Sequence, residues 1–121
     1  MIAGILLFSS CETFEEGPNF TLTSKNARLT RTWILDSINN SIVNDEISWT
    51  FEKGGNHTKM YNGFESNNPA IWSFGNDKTL EIYYINDNMT EVYTILKLTI
   101  TEMILLTTQG GNELRYAFKA E

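Results

Sequence analysis

From residue 31 onward, the chain consists of short apolar runs, most of which end at a group of glycine, asparagine or aspartate residues. The clearest run is Glu46–Glu52, where isoleucine, tryptophan and phenylalanine alternate with serine, threonine and glutamate. Alternation with a period of two is the pattern of a strand that buries one face. No helical period occurs after Thr30, so the pattern predicts an all-β domain.

The apolar runs predict eight strands. Nearly all connections between them are short, which fits neighbouring antiparallel strands. Eight strands in this order close most simply into an up-and-down barrel, which removes unpaired edges. A two-sheet sandwich is the alternative, but it usually needs a long crossover, and no connection here is long enough. The predicted strands are Arg31–Ile38, Glu46–Glu52, His57–Tyr61, Ala70–Phe74, Thr79–Ile85, Thr90–Ile100, Glu102–Thr107 and Glu113–Lys119.

Two local features accompany the strands. Residues Thr21–Thr30 predict a short helix, with Ser24 as its N-terminal cap. The odd spacing of Ile95 and Leu98 within one strand predicts a β-bulge.

Residues 1–10 have the features of a lipoprotein signal peptide. The apolar stretch Ile2–Phe8 leads to two serines and then to Cys11, the only cysteine. A lipoprotein signal peptidase requires a small residue just before its cut, and the thiol of the next residue takes a diacylglyceryl group. We therefore predict lipidation of Cys11. The alternative is that Ile2–Phe8 is a buried edge strand; at seven residues it is too short for a membrane span, which needs about 20.

Residues 11–20 are predicted to form a lipidated acidic linker, because Glu12, Glu15 and Glu16 precede the turn residues Gly17-Pro18. The acidic cluster behind the cysteine resembles the surface-export signal of lipoproteins in some Gram-negative anaerobes. This resemblance implies an outer-membrane protein that faces the medium. The alternative interpretation is a solvated linker with no targeting role.

Residues 21–121 suffice for one domain with a single core. The formal net charge of −6 and a pI near 4.7 argue against nucleic acid or an anionic membrane surface as a partner, because both would repel the chain. We expect contact with the membrane through the lipid anchor only.

Aromatic and aliphatic residues recur in a characteristic order between about Leu29 and Lys119, beginning with Trp33-Ile34-Leu35 and Trp49-Thr50-Phe51 before Gly54-Gly55. This order resembles the lipocalin-like domain of small bacterial surface lipoproteins. The resemblance implies an eight-stranded barrel in which Trp33 is a structural residue. It also implies an arginine near the end of the barrel that packs over this ring, and Arg115 is the expected residue. Such a contact contributes about 0.5 to 2 kcal/mol. The residues that carry the resemblance are Trp33-Ile34-Leu35, Trp49-Thr50-Phe51 before Gly54-Gly55, Ile71-Trp72-Ser73-Phe74, Tyr93-Thr94-Ile95, Leu98 and Leu105, and Arg31 stands where lipocalins have a glycine.

The sequence offers little for catalysis. His57, the only histidine, follows the Gly54-Gly55 turn, and no cysteine or carboxylate lies at ligand spacing around it. We therefore expect no metal site, no catalytic triad and no cofactor, and His57 is predicted to be a solvated histidine of an exposed hairpin. The paired glycines are interpreted as hairpin turns, and no phosphate-binding motif is present. The chain is predicted not to be an enzyme.

Two functions of different class follow from the aromatic residues on the predicted strands. In a small barrel, inward rings either fill the interior or line a pocket for one small apolar ligand. The first hypothesis is a lipid-anchored barrel that binds a small hydrophobic molecule at the cell surface. The second is a filled barrel that serves as a non-catalytic interaction or accessory module, with loops such as Asn62–Pro69 as its partner surface. The candidate lining residues of the first hypothesis are Trp49, Phe51, Trp72, Phe74 and Tyr84.

Overall fold

The described part of the chain forms one short helix and ten strands. The computed structural model describes residues 24–76 and 78–121, so the predicted signal peptide, Cys11 and the acidic linker lie outside the described residues. The elements are α1 (Lys25–Leu29), β1 (Thr32–Ile38), β2 (Ser41–Ile42), β3 (Ile47–Phe51), β4 (Asn56–Tyr61), β5 (Phe64–Glu65), β6 (Ala70–Phe74), β7 (Thr79–Tyr84), β8 (Met89–Leu98), β9 (Glu102–Gln109) and β10 (Asn112–Ala120).

The eight longer strands form a closed antiparallel barrel, as predicted. Each longer strand pairs with the next one along the chain, and β10 pairs with β1, where Phe118 lies opposite Leu35. The two-residue strands β2 and β5 were not predicted; they extend β1 and β4 at one end of the barrel. Closure leaves none of the eight strands as an edge open to further pairing.

Helix α1 closes the other end of the barrel, which we call the closed end. Ser24 caps the helix as predicted, and its Oγ accepts a hydrogen bond of 3.1 Å from the amide of Ala27. The side chain of Leu29 is fully buried, and its carbonyl oxygen accepts a hydrogen bond of 3.0 Å from Nε1 of Trp33. This bond fixes the end of the helix to the first residues of β1.

The predicted β-bulge is present in β8. The register with β9 shifts so that Ile104 lies opposite Lys97 and Leu105 opposite Ile95, which leaves Leu96 as the extra residue. The bulge changes the parity of the strand, so Ile95 and Leu98 are both buried in the core although they are three positions apart.

The prediction that Arg115 covers Trp33 is wrong. Trp33 lies at the closed end with a fully buried ring, whereas Arg115 is exposed near the opposite end of β10, where its amide donates to Oδ1 of Asn39. The cation over Trp33 comes instead from Arg31, whose guanidinium lies 5.8 Å from the ring centroid and also donates to the carbonyl of Ile100. Arg31, two residues before Trp33, therefore provides this contact.

Truncation of Leu29 tests whether α1 stabilises the barrel by closing it. Leu29→Ala removes a side chain that is fully buried, so we expect the free energy of unfolding to fall by about 2 to 5 kcal/mol in urea titrations. The matched control is Ile42→Ala, a truncation of a side chain that is 78% exposed; it should change the stability by less than about 0.5 kcal/mol. Equal effects of the two variants would contradict the packing described for the closed end.

Candidate functional site

A continuous series of aromatic rings runs through the interior of the barrel. From one end to the other its contacts join Trp49 to His57, His57 to Phe51, Phe51 to Trp72, and Trp72 to Phe74, with centroid distances between 4.4 and 6.2 Å. Four of the five predicted lining residues are members of this series. Trp49, Phe51 and Trp72 are at most 9% exposed, so these three rings fill the barrel between its open end and its closed end.

His57 is not the solvated histidine of an exposed hairpin that the sequence predicted. It lies on β4, is 4% exposed, and its ring packs between those of Trp49 and Phe51. Its Nδ1 lies 3.0 Å from the carbonyl oxygen of Thr50. Because a carbonyl can only accept, Nδ1 carries the proton and Nε2 is the unprotonated nitrogen. Burial, with a smaller effect of the Lys59 charge, lowers the pKa of His57 to about 3.

A polar cluster lies above the ring series at the open end of the barrel. We call Lys59, Tyr84, Glu91 and Tyr93 the mouth cluster. Oε1 of Glu91 accepts three hydrogen bonds, from Lys59 Nζ at 3.2 Å, from Tyr84 Oη at 2.8 Å and from Tyr93 Oη at 2.9 Å. Lys59 Nζ also donates to Tyr84 Oη and lies 4.1 Å from the centroid of the Trp49 ring. Tyr84, the fifth predicted lining residue, thus belongs to this cluster.

The mouth cluster is a desolvated group of charges and hydroxyls. Only 11% of the Lys59 side chain is exposed, against 33% for Glu91. Burial lowers the pKa of Lys59, although the nearby Glu91 opposes this shift. Burial, followed by the charge of Glu91, raises the pKa of Tyr84 and of Tyr93. Both hydroxyls therefore keep their protons at neutral pH, which fits their role as donors to Glu91.

A groove beside the mouth cluster opens where β8 and β9 separate. Backbone pairing of these strands runs from Met103 opposite Leu98 to Leu106 opposite Thr94. Beyond that point, the Thr107 hydroxyl donates to the carbonyl of Val92. The resulting opening, which we call the β8–β9 groove, has a volume of about 680 Å³. Its lining residues are Met89, Thr90, Glu91, Val92, Tyr93, Thr94, Leu106, Thr107, Thr108, Gln109 and Glu113.

Exposed apolar side chains surround the open end. We call Ile42, Phe64, Ile85 and Met89 the apolar rim; their exposed fractions range from 50% to 78%. They lie on the short strands β2 and β5, on the connection after β7 and at the first residue of β8. The predicted loop Asn62–Pro69 contributes to this rim through Phe64. The rim and the mouth cluster together give this end an apolar border around a polar centre.

Sequence reasoning missed Lys59, Glu91 and Tyr93 as site residues. One signal was present: Lys59 shares the parity of the buried His57 on β4, and Glu91 shares the parity of the buried Tyr93 and Ile95 on β8. Charged residues at inward positions of two strands indicate that polar groups lie inside the barrel.

The described residues give no sign of a metal centre, since no group of three or more His, Cys, Asp or Glu side chains in residues 24–76 and 78–121 is placed to hold an ion. Within the same ranges, α1 is far too short to cross a membrane, and no other helix is present. No protein-family model matches this chain, and no curated protein is similar to it.

The burial of His57 predicts how the free energy of unfolding depends on pH. Its folded pKa of about 3 lies below the unfolded value of 6.5, so the unfolded chain binds more protons between these values. The contribution of neutral His57 to the free energy of unfolding is complete above about pH 6.5, and it is lost as the pH falls toward 3. We expect a loss of about 2 kcal/mol in the free energy of unfolding between pH 7 and pH 5.

The matched variant for this measurement is His57→Gln, which has no imidazole to protonate. Urea titrations at pH 7, 6 and 5 should show a flatter pH dependence in the variant, whatever its absolute stability. Carboxylates are common to both proteins, so the difference between the two curves isolates the imidazole. Parallel curves would refute the buried neutral state of His57.

Proposed function

We propose that this chain is a lipid-anchored, non-catalytic barrel of the outer membrane that binds a small amphipathic molecule through its open end at the cell surface. The observation that carries the proposal is the mouth cluster. A partly buried ion pair that is hydrogen-bonded to two tyrosine hydroxyls is costly to desolvate, and such groups are concentrated at functional sites. The lipocalin-like order of residues and the closed barrel support the same proposal.

The ligand would contact two kinds of surface. Its apolar part would lie against Tyr84 and the apolar rim, while its polar part would reach Glu91 through the β8–β9 groove. Trp49 would form the floor of the site, because its ring lies directly below Lys59 Nζ. In this arrangement Phe51, Trp72 and Phe74 support the floor and do not touch the ligand.

The second candidate function is a filled barrel that acts as a protein-interaction or accessory module. The apolar rim favours it, because Ile42 and Phe64 are each 78% exposed and exposed apolar groups mark interaction surfaces. Under this alternative, Phe64→Ser would abolish capture of a protein partner from native membranes. Binding of small amphiphiles would then be absent in both the original protein and the variant.

The lipid anchor is tested by the mass of the protein purified from native membranes in detergent. We expect a chain that begins at Cys11 and carries a diacyl or triacyl addition. The Cys11→Ser variant should lack this addition and leave the membrane fraction. A native chain that retains residues 1–10 without added mass would exclude the anchor.

Ligand binding is tested with 1-octanol as the probe. Saturable binding should change the emission of Trp49 and raise the melting temperature by a few degrees, because a ligand that binds only the folded state stabilises it. Trp49→Phe should lose the emission change, since Trp33 and Trp72 lie toward the other end. Phe64→Ser should weaken binding by about tenfold if the rim holds the alkyl chain. An unchanged emission and melting curve at saturating octanol would exclude this function.

A further inference from the structure

The hydrogen bonds of the mouth cluster leave it with free acceptors. Tyr84 and Tyr93 each donate the hydrogen bond of their hydroxyl group to Oε1 of Glu91. With Lys59 as the third donor, this oxygen has reached its usual capacity. Oε2 of Glu91 receives no hydrogen bond from residues 24–76 or 78–121. A carboxylate oxygen and the lone pairs of Tyr93 are therefore available to an incoming donor.

The ammonium group of Lys59 is the positive charge of the cluster. Unlike Oε2 of Glu91, it already has partners on several sides. Lys59 Nζ is held by Glu91, by the hydroxyl of Tyr84 and by the face of the Trp49 ring. Its side chain is only 11% exposed. An anionic ligand would have to break this ion pair and leave Glu91, which is partly buried, without its partner, and this costs free energy.

The β8–β9 groove adds a second carboxylate. Glu91 and Glu113 both line it, with threonine hydroxyls and Gln109 between them, and no lysine or arginine of the described chain is among the lining residues. Lys59 compensates only one of these two charges. Tyr93, whose hydroxyl binds Glu91, and Tyr116 have ring centroids 6.1 Å apart, and aromatic rings attract cations electrostatically.

We infer that the ligand head group recognised by the mouth cluster and the β8–β9 groove is a small organic cation, a primary ammonium that donates to Oε2 of Glu91. This inference rests on the proposed function and specifies the ligand that the open end accepts. The ammonium supplies the donors that the site lacks, and Glu113 stabilises its charge. The overall charge of −6 favours the approach of the same ligand.

Three probes with the same alkyl chain separate the head group from the apolar part. Octylammonium, 1-octanol and octanoate are titrated at pH 7 and constant salt, with Trp emission as one readout and amide chemical shifts of β8 and β9 as the other. We expect octylammonium to bind about tenfold more tightly than octanol, and octanoate to bind more weakly than either.

Two variants and one control assign the preference to the groove. Glu113→Gln alters an exposed side chain and should reduce the preference for octylammonium several-fold without loss of folding. Glu91→Gln should abolish the preference, and its folding is checked by the amide spectrum. Glu52→Gln removes an exposed carboxylate at the closed end, so it changes the net charge equally but should leave the preference intact.

The results test the inferred cationic head group separately from the proposed binding function. If octanol and octanoate bind as tightly as octylammonium, or if Glu52→Gln lowers the preference as much as Glu113→Gln, the inferred head group is wrong while the proposed function stands. If none of the three probes changes the emission or the chemical shifts, both proposals fail. A preference that survives in Glu91→Gln and Glu113→Gln would place the cation elsewhere and overturn the inference.

Discussion

The pairing of β10 with β1 is the constraint on which the rest of the structure depends. Once these strands meet, every inward side chain of eight strands shares one interior, and that interior is narrow. Trp33, at the start of β1, and Phe118, on β10, are both buried on either side of this joint. Large rings at such positions leave little space. The aromatic series from Trp49 to Phe74 fills the barrel between the mouth cluster and the closed end. Closure therefore confines any ligand to the open end.

The two ends of the barrel are completed by different chemistry. At the closed end, Leu29 and Trp33 are buried completely, and the one polar atom of the indole is bonded to the Leu29 carbonyl. At the open end, Lys59 and Glu91 occupy inward positions of their strands. The strands β8 and β9 separate there and form the groove. Residual apolar side chains remain exposed on the rim. The closed end therefore continues the apolar core, whereas the open end combines a polar cluster with exposed apolar side chains.

Much of this fold could be predicted from the sequence, because strand period and turn residues are local signals. The eight strands, the Ser24 cap and the bulge after Ile95 follow from spacing alone. The predictions for His57 and Arg115 were wrong because they concern which face a side chain takes. His57 was predicted to begin a strand but to face solvent on an exposed hairpin, whereas it is the first inward position of β4. The partners of Glu91 come from β4, from β7 and from β8 itself. Tyr84 lies on the adjacent strand β7, whereas Lys59 reaches Glu91 from β4, which lies farther along the sheet, because the barrel is curved.

A buried ion pair is rarely the most stable solution for the end of a small barrel. Desolvation of the two charges often outweighs their attraction, and apolar side chains of similar size commonly stabilise as well or better. The closed end of this molecule is instead apolar, and Leu29 of α1 is fully buried there. The presence of Lys59 and Glu91 at the other end is therefore not explained by closure. What the pair achieves, with both tyrosine protons turned toward Oε1, is a fixed carboxylate that faces the groove with one oxygen unoccupied. In the binding function proposed above, such preorganisation lowers the cost of binding a donor, because the carboxylate needs no rearrangement.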